Sequence, residues 1–274
     1  MEKPNVKERF IMMKIGVIPD SFLVPFKEAV VLAKDMGVQG LQPFVTRGEM
    51  APENLTAQDR KDILKFVKEN GLEFSALCAD FGMNFKSADN EEEIKRTKSM
   101  MDLALDFDTH IITTHIGKVP EDENCEEYFN MVKSIEKLGK YGDEIGVCFA
   151  TETGPEMSLS LKGVLDKADT KSAKVNLDPA NLFMCAGENP VNSVRVLHDY
   201  IVHTHAKDGV MLPDGGHKEY RLGDGGVPFF EYISTLKYFG YDGFLTIERE
   251  AGETRMADIA HAVKLLKDIL EKIY

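Results

Sequence analysis

Apolar and polar positions along the chain fall into two alternating textures. One is short, apolar and rich in β-formers: KIGVIPD (14–20), GLQPFVTR (40–47), EFSALCAD (73–80), HIITTHIG (110–117), VCFATETG (147–154), AKVNLDPA (173–180), YIVHTHAKD (200–208) and FLTIERE (244–250). The other is longer, with apolar residues recurring at helical spacing, as in PFKEAVVLAKDMG, TAQDRKDILKFVKENG, EEYFNMVKSIEKLGKYGDEIG and the C-terminal MADIAHAVKLLKDILEKIY. Several of these helical stretches stop at a glycine, namely Gly37, Gly71, Gly146 and Gly240, where a left-handed cap is expected. Asn90 before Glu91, Glu92 and Glu93 reads as an N-cap followed by an acidic first turn. Eight strands alternating with eight helices predict a closed parallel (β/α)8 barrel in one domain over 1–274, with 1–12 as a peripheral lead-in. A doubly wound open sheet fits less well, since the first turn, GVIPDSF (16–22), carries no glycine-rich loop.

Composition narrows the class. With 43% hydrophobic and 29% charged residues over 274 positions, the chain is globular and ordinary in length for one such barrel. A formal net charge of −13 and no basic patch argue against a nucleic-acid partner. No apolar run approaches the roughly 20 residues of a membrane helix, and the N-terminus shows no signal-peptide pattern. Cys78, Cys125, Cys148 and Cys185 form no C-x-x-C pair, which suits reduced thiols and a cytoplasmic setting.

Barrels of this kind place their chemistry at the C-terminal strand ends. Here the third strand ends in Cys78 and Asp80 and the fourth in His115. The fifth ends in Glu152, the sixth in Asp178, the seventh in His203-Thr-His205-Ala-Lys207-Asp208, and the eighth in Glu248-Arg-Glu250. Any one of these carboxylates alone reads equally well as a helix N-cap. Together, Glu152, Asp178, a histidine and Glu248 from four consecutive strands form an oxygen-rich set that would repel itself without a cation. Such hard ligands suit one divalent ion: Mn, Mg or Co, with Zn as a further option. His203 and His205 face the same side of their strand. His205, nearer the tip, is the preferred ligand, and His203 its deeper neighbour. Lys207–Asp208 reads as a surface ion pair or as part of the site.

At these residues the chain resembles the xylose-isomerase-like TIM-barrel superfamily, in particular its sugar phosphate isomerase/epimerase (D-tagatose 3-epimerase-like) group. The stretches that carry the resemblance are Glu152-Thr-Gly, Asp178-Pro-Ala-Asn181, His203-x-His205-x-Lys207-Asp208, Arg221-Leu-Gly-Asp-Gly-Gly-Val and Tyr241-Asp-Gly…Glu248. It spans residue 14 to the C-terminus. It implies a metal held by Glu152, Asp178, His205 and Glu248, with Glu152 and Glu248 also moving protons, and with Arg221 and His115 in the substrate pocket. Asn181 stands where many members carry a histidine, which tells against a multi-zinc endonuclease. With His203, Lys207 and Glu250, these residues make up the expected substrate-binding group. The implied function is isomerisation or epimerisation of a small sugar through a metal-stabilised enediolate. A keto-polyol dehydratase on the same site is the alternative, ahead of a nuclease or a non-catalytic sugar-binding barrel. The loop Gly223-Asp224-Gly225-Gly226 offers backbone amides that would cradle a phosphate, although Asp224 sits within it. The resemblance is compatible with a homo-oligomer, for which Phe229-Phe230 and Tyr238-Phe239 offer apolar surface. The segment from Val45 to Asn54 reads as a lid or a plain loop.

Overall fold

The computed structural model describes residues 12–274, so the lead-in expected over 1–12 lies, apart from Met12, outside the described residues. The main sheet is built from β1 (Lys14–Val17), β2 (Gly40–Leu41), β3 (Glu73–Phe74), β4 (Leu77–Cys78), β5 (Ile111–His115), β6 (Cys148–Glu152), β7 (Ala173–Leu177), β8 (Ile201–Ala206) and β11 (Phe244–Ile247), all paired in parallel. Its order is β3-β2-β1-β11-β8-β7-β6-β5-β4. β3 and β4 are two halves of one apolar run, broken at Ser75 and Ala76. β3 pairs with β2 and β4 with β5, so the two edges of the sheet meet in the same segment. A bridge between Phe44 and Cys78 sews the remaining gap. The nine strands thus occupy eight positions of a nearly closed barrel, the predicted (β/α)8 TIM barrel.

The helices α1 (Phe26–Asp35), α2 (Ala57–Glu69), α3 (Glu91–Asp106), α4 (Glu126–Ile145), α5 (Ser158–Ala168), a single turn α6 (Pro179–Asn181), α7 (Pro190–Leu197), α8 (Phe229–Tyr238) and α9 (Arg255–Ile273) cover it. On α4, Tyr128, Met131, Ile135 and Leu138 recur at three- and four-residue spacing and are all buried. Burying each such side chain contributes about 1.5–3 kcal/mol. Gly146 ends α4 at φ 77°, a left-handed conformation that any side chain would strain. Asn90 does precede α3, but its side chain caps nothing. It turns inward, and its Nδ2 donates to Ser134 Oγ on α4 at 2.8 Å.

Residues 209–228 carried no strand in the hydropathy pattern. Part of that stretch forms an antiparallel hairpin, β9 (Asp208–Met211) and β10 (His217–Tyr220), beside the barrel mouth. The segment after β2 is packed rather than free. Met50 and Ala51 are buried, Glu49 accepts from Phe26 N at 3.0 Å, and Arg96 donates to Thr46 O at 2.6 Å. The two aromatic pairs split: Phe229 joins the core, whereas Phe230 and Tyr238 face outward. Among the described residues no helix is long and apolar enough to cross a membrane.

Candidate metal centre

Strand register brings the site together. β5 and β6 align His115 with Glu152, and β8 and β11 align His205 with Thr246, two residues below Glu248. One ligand atom from each of Glu152, Asp178, His205 and Glu248 lies within 4.8 Å of all the others, and all four residues are buried. The focus is His205 Nδ1, which stands 3.3 Å from Glu152 Oε1, 3.4 Å from Asp178 Oδ2 and 3.3 Å from Glu248 Oε2.

The rest of the imidazole is oriented from below. His205 Nε2 lies 2.9 Å from Gln42 Oε1, and Gln42 Nε2 donates to Thr113 Oγ1 at 2.8 Å. This network places a proton on Nε2 and turns Nδ1 toward the three carboxylates. Burial disfavours an imidazolium here, but Glu152 and Glu248 outweigh it and hold the His205 pKa well above the usual range. A buried ring nitrogen whose proton is shared with three carboxylate oxygens is a ligand set that a divalent cation fits, with the ion taking the place of that proton.

The three carboxylates are held differently. Asp178 Oδ1 accepts the backbone amides of Ala180 and Asn181 at 2.7 and 2.9 Å, leaving Oδ2 for the centre. Burial raises its pKa. Glu152 meets amide side chains: Asn176 Nδ2 at 3.3 Å on Oε2 and Asn181 Nδ2 at 3.3 Å on Oε1. Glu248 Oε2 is instead held at 3.0 Å by the buried ammonium of Lys207, which also contacts Glu250. Burial works against ionisation of Glu248, yet His205 and Lys207 together keep its pKa far below the ordinary carboxylate range.

His115 is half-buried at the rim, with Nδ1 2.7 Å from Asp80 Oδ2 and Nε2 3.4 Å from Glu152 Oε1. Glu152 first, with Asp80, raises its pKa to about 10 against the cost of burial. His203 corrects the expectation of a substrate contact. It is buried one layer down, its Nδ1 2.8 Å from Asn176 Oδ1 and its Nε2 2.9 Å from Thr246 Oγ1, so both ring nitrogens are engaged inside the barrel. Arg221 is not part of the four-residue cluster; it is half-buried and paired with Asp224 at 2.8 Å.

The glycine loop is likewise not an open anion cradle. Asp208 Oδ1 accepts from Gly209 and Val227 at 2.9 and 3.1 Å, and Oδ2 from Gly223 and Gly225 at 2.9 and 3.0 Å. The amides that would bind phosphate are taken by the chain's own carboxylate. A Cβ at Gly225 would lie 2.2 Å from Asp208 Oδ1, so the close approach requires glycine. Lys207–Asp208 is therefore no ion pair: the two neighbours point into different networks.

Sequence reasoning missed Gln42, Asn176 and Glu156. The first two are polar interruptions of apolar strands, which was their signal. Glu156 is buried in the loop after β6, accepts from Gly154 N at 3.0 Å, and has its pKa raised by burial. It lies just beyond the strand end at which the reading stopped.

A family model described as a xylose isomerase-like TIM barrel matches residues 30–269, and the chain belongs to that family. An uncharacterized protein of Methanocaldococcus jannaschii is 28% identical over 181 residues, covering 61% of this chain and 59% of that protein. Inosose dehydratase of Lacticaseibacillus casei is 22% identical over 160 residues, 52% of this chain and 53% of the enzyme. The matches span little more than half the length of these relatives. Among solved structures, a xylose isomerase domain protein from Planctomyces limnophilus superposes with a TM-score of 0.84 at 24% identity, covering 96% of this chain and 98% of that one. A D-tagatose 3-epimerase-like protein gives 0.79 at 20% identity, covering 95% and 98%. At these identities the structures show the shared fold.

Proposed function

We propose that this protein is a divalent-metal-dependent enzyme that moves a proton at a carbon beside a carbonyl of a small polyhydroxylated substrate, with isomerisation as its outcome. The observation that carries the reading is the convergence of Glu152, Asp178 and Glu248 on His205 Nδ1. These four residues would hold the cation. When bound, it supplies Lewis-acid polarisation of the substrate carbonyl and its neighbouring hydroxyl.

The carboxylates' partners divide the remaining work. Glu248 is tied to a buried ammonium and is thereby kept ionised and fixed. Among the described residues Glu152 meets side-chain amides and imidazoles, and no lysine or arginine. Glu152 is thus the base that takes the substrate proton, and Glu248 anchors the site. One working base favours transfer along one face of the substrate over epimerisation, which draws on a base at each face. Asn181 orients Glu152 and offers a hydrogen bond to a hydroxyl, but cannot relay a proton.

A second reading, dehydration, is favoured by the Asp80–His115 pair. Its Nε2 faces Glu152 and is placed to hydrogen-bond a departing hydroxyl. The match to inosose dehydratase supports the same alternative.

The test is to incubate the protein and Mn2+, Mg2+, Co2+ or Zn2+ with a panel of ketoses and cyclic keto-polyols in D2O. Deuterium gain without loss of mass supports isomerisation, and loss of one water supports dehydration. Finding neither exchange nor loss of water with any combination would refute both readings.

A further inference from the structure

Beside the centre, between the β9–β10 hairpin and the chain leaving β11, lies a cavity of about 690 Å3. It opens onto Lys207 and Glu250, the residues that continue outward from Glu248. Lys207, Lys218, Arg221 and Arg249 line it as cations. Glu219, Asp224, Glu250 and Asp258 line it as anions, so four charges of each sign balance.

Three of the cations are already matched. Arg249 is sandwiched between Glu219 and Asp258, the latter at 3.0 Å. Arg221 pairs with Asp224, and Lys207 with Glu248 and Glu250. Lys218 lies over the Tyr220 ring, 4.9 Å from its centroid. The backbone amides of the adjoining loop, the one structure here that would hold a phosphate by itself, are spent on Asp208.

A phosphate ester would need surplus positive charge or free amides in this cavity, and would otherwise displace existing ion pairs. A neutral polyol needs neither. Each hydroxyl both donates and accepts, and so fits between a carboxylate and an ammonium or guanidinium without disturbing the charge balance. The Tyr220 ring and Met184 add apolar surface against which carbon–hydrogen faces can lie.

We propose that this cavity is the subsite for the far end of the substrate, and that it takes an uncharged polyhydroxylated chain or ring in preference to a phosphate ester. The proposal rests on the metal-centre reading for the placement of the reacting end.

The experiment is calorimetric titration of the Mn2+-loaded protein with D-fructose, D-sorbose and myo-inositol, each beside its monophosphate, and with inorganic phosphate. At least one neutral polyol should bind about tenfold more tightly than its ester, because the carboxylates lining the cavity already offset its cations, Lys218 included, and leave no net positive charge for the ester. Asp224→Asn, a surface change that releases Arg221, should narrow that ratio about fivefold, as one unmatched charge at contact distance predicts. The proposal is overturned if every neutral polyol fails to bind, if an ester binds as tightly as its parent sugar, or if Asp224→Asn leaves the ratio unmoved. Mn2+ stoichiometry, measured in the same titrations, reports on the centre separately. One ion per chain with no polyol preference sinks only the subsite, and no ion sinks the reading beneath it.

Discussion

His205 and Asp208 stand three residues apart at the end of β8, both buried, and their surroundings are opposites. Around Asp208, four backbone amides converge on one carboxylate, and every lone pair that points inward finds a donor. Around His205, three carboxylates converge on one nitrogen, so acceptors outnumber donors. The first arrangement is complete without help and holds a loop in place. The second lacks positive charge, and that shortage is what a cation relieves. A buried carboxylate thus reads as structural or chemical according to how many donors its own chain supplies.

The largest expected effect breaks the chemical side. Glu152→Gln keeps the shape and removes the proposed base, so solvent exchange at the substrate carbon should fall about 10²–10⁴-fold, or about 3–5 kcal/mol of barrier. Stability of the cation-free protein near neutral pH should fall modestly, because Glu152 helps to hold His115 and His205 protonated. Exchange measured by NMR beside a urea unfolding curve checks both halves. Retained exchange would remove Glu152 from the mechanism.

The structural side should fail in the reverse way. Asp208→Ala strands the amides of Gly223, Gly225 and Val227 and should cost about 3 kcal/mol of stability, whether or not metal is present. Mn2+ affinity should change by less than the unfolding midpoint implies, since His205 is held by Gln42 and not by the loop. Equal losses in Mn2+ affinity and stability would show that the two neighbours form one network.

Much of this contrast was legible in the chain. The alternation of apolar runs and amphipathic stretches contained the barrel, because strand and helix periods are local properties. The clustering of Glu152, Asp178, His205 and Glu248 was legible because strand ends are where such barrels gather polar side chains. The hairpin was not, since Gly209–Tyr220 mixes Val210 and Met211 with exposed polar residues and its pairing is set by packing beside the mouth. The role of Asp208 was hidden for the same kind of reason. Its partners are amides 15 to 19 residues away, and a backbone donor leaves no mark in the identity of a side chain. His203 was legible as the deeper neighbour of His205, since period-two spacing fixes the face of a strand, but the engagement of both its ring nitrogens by Asn176 and Thr246 was not.

The smallest expected effect sharpens the comparison from beneath the centre. His205 Nε2 has two neighbours with opposite demands: Gln42 Oε1 at 2.9 Å accepts a proton, and Asn176 Nδ2 at 3.1 Å offers one. With Gln42 present, Nε2 keeps its proton when a cation displaces the one on Nδ1. Gln42→Met removes the acceptor and leaves the donor, which favours the other tautomer and puts a proton where the ion should sit. Mn2+ affinity should drop about 10–100-fold, the usual scale for a residue that orients a metal-binding histidine. Gln42→Glu keeps an acceptor at that position and should retain affinity within a few-fold. Nitrogen-15 NMR of the imidazole in the Zn2+-loaded protein would report which ring nitrogen keeps its proton. If Met and Glu variants bind Mn2+ alike, orientation by Gln42 is not what makes His205 a ligand, and the three carboxylates alone set the centre.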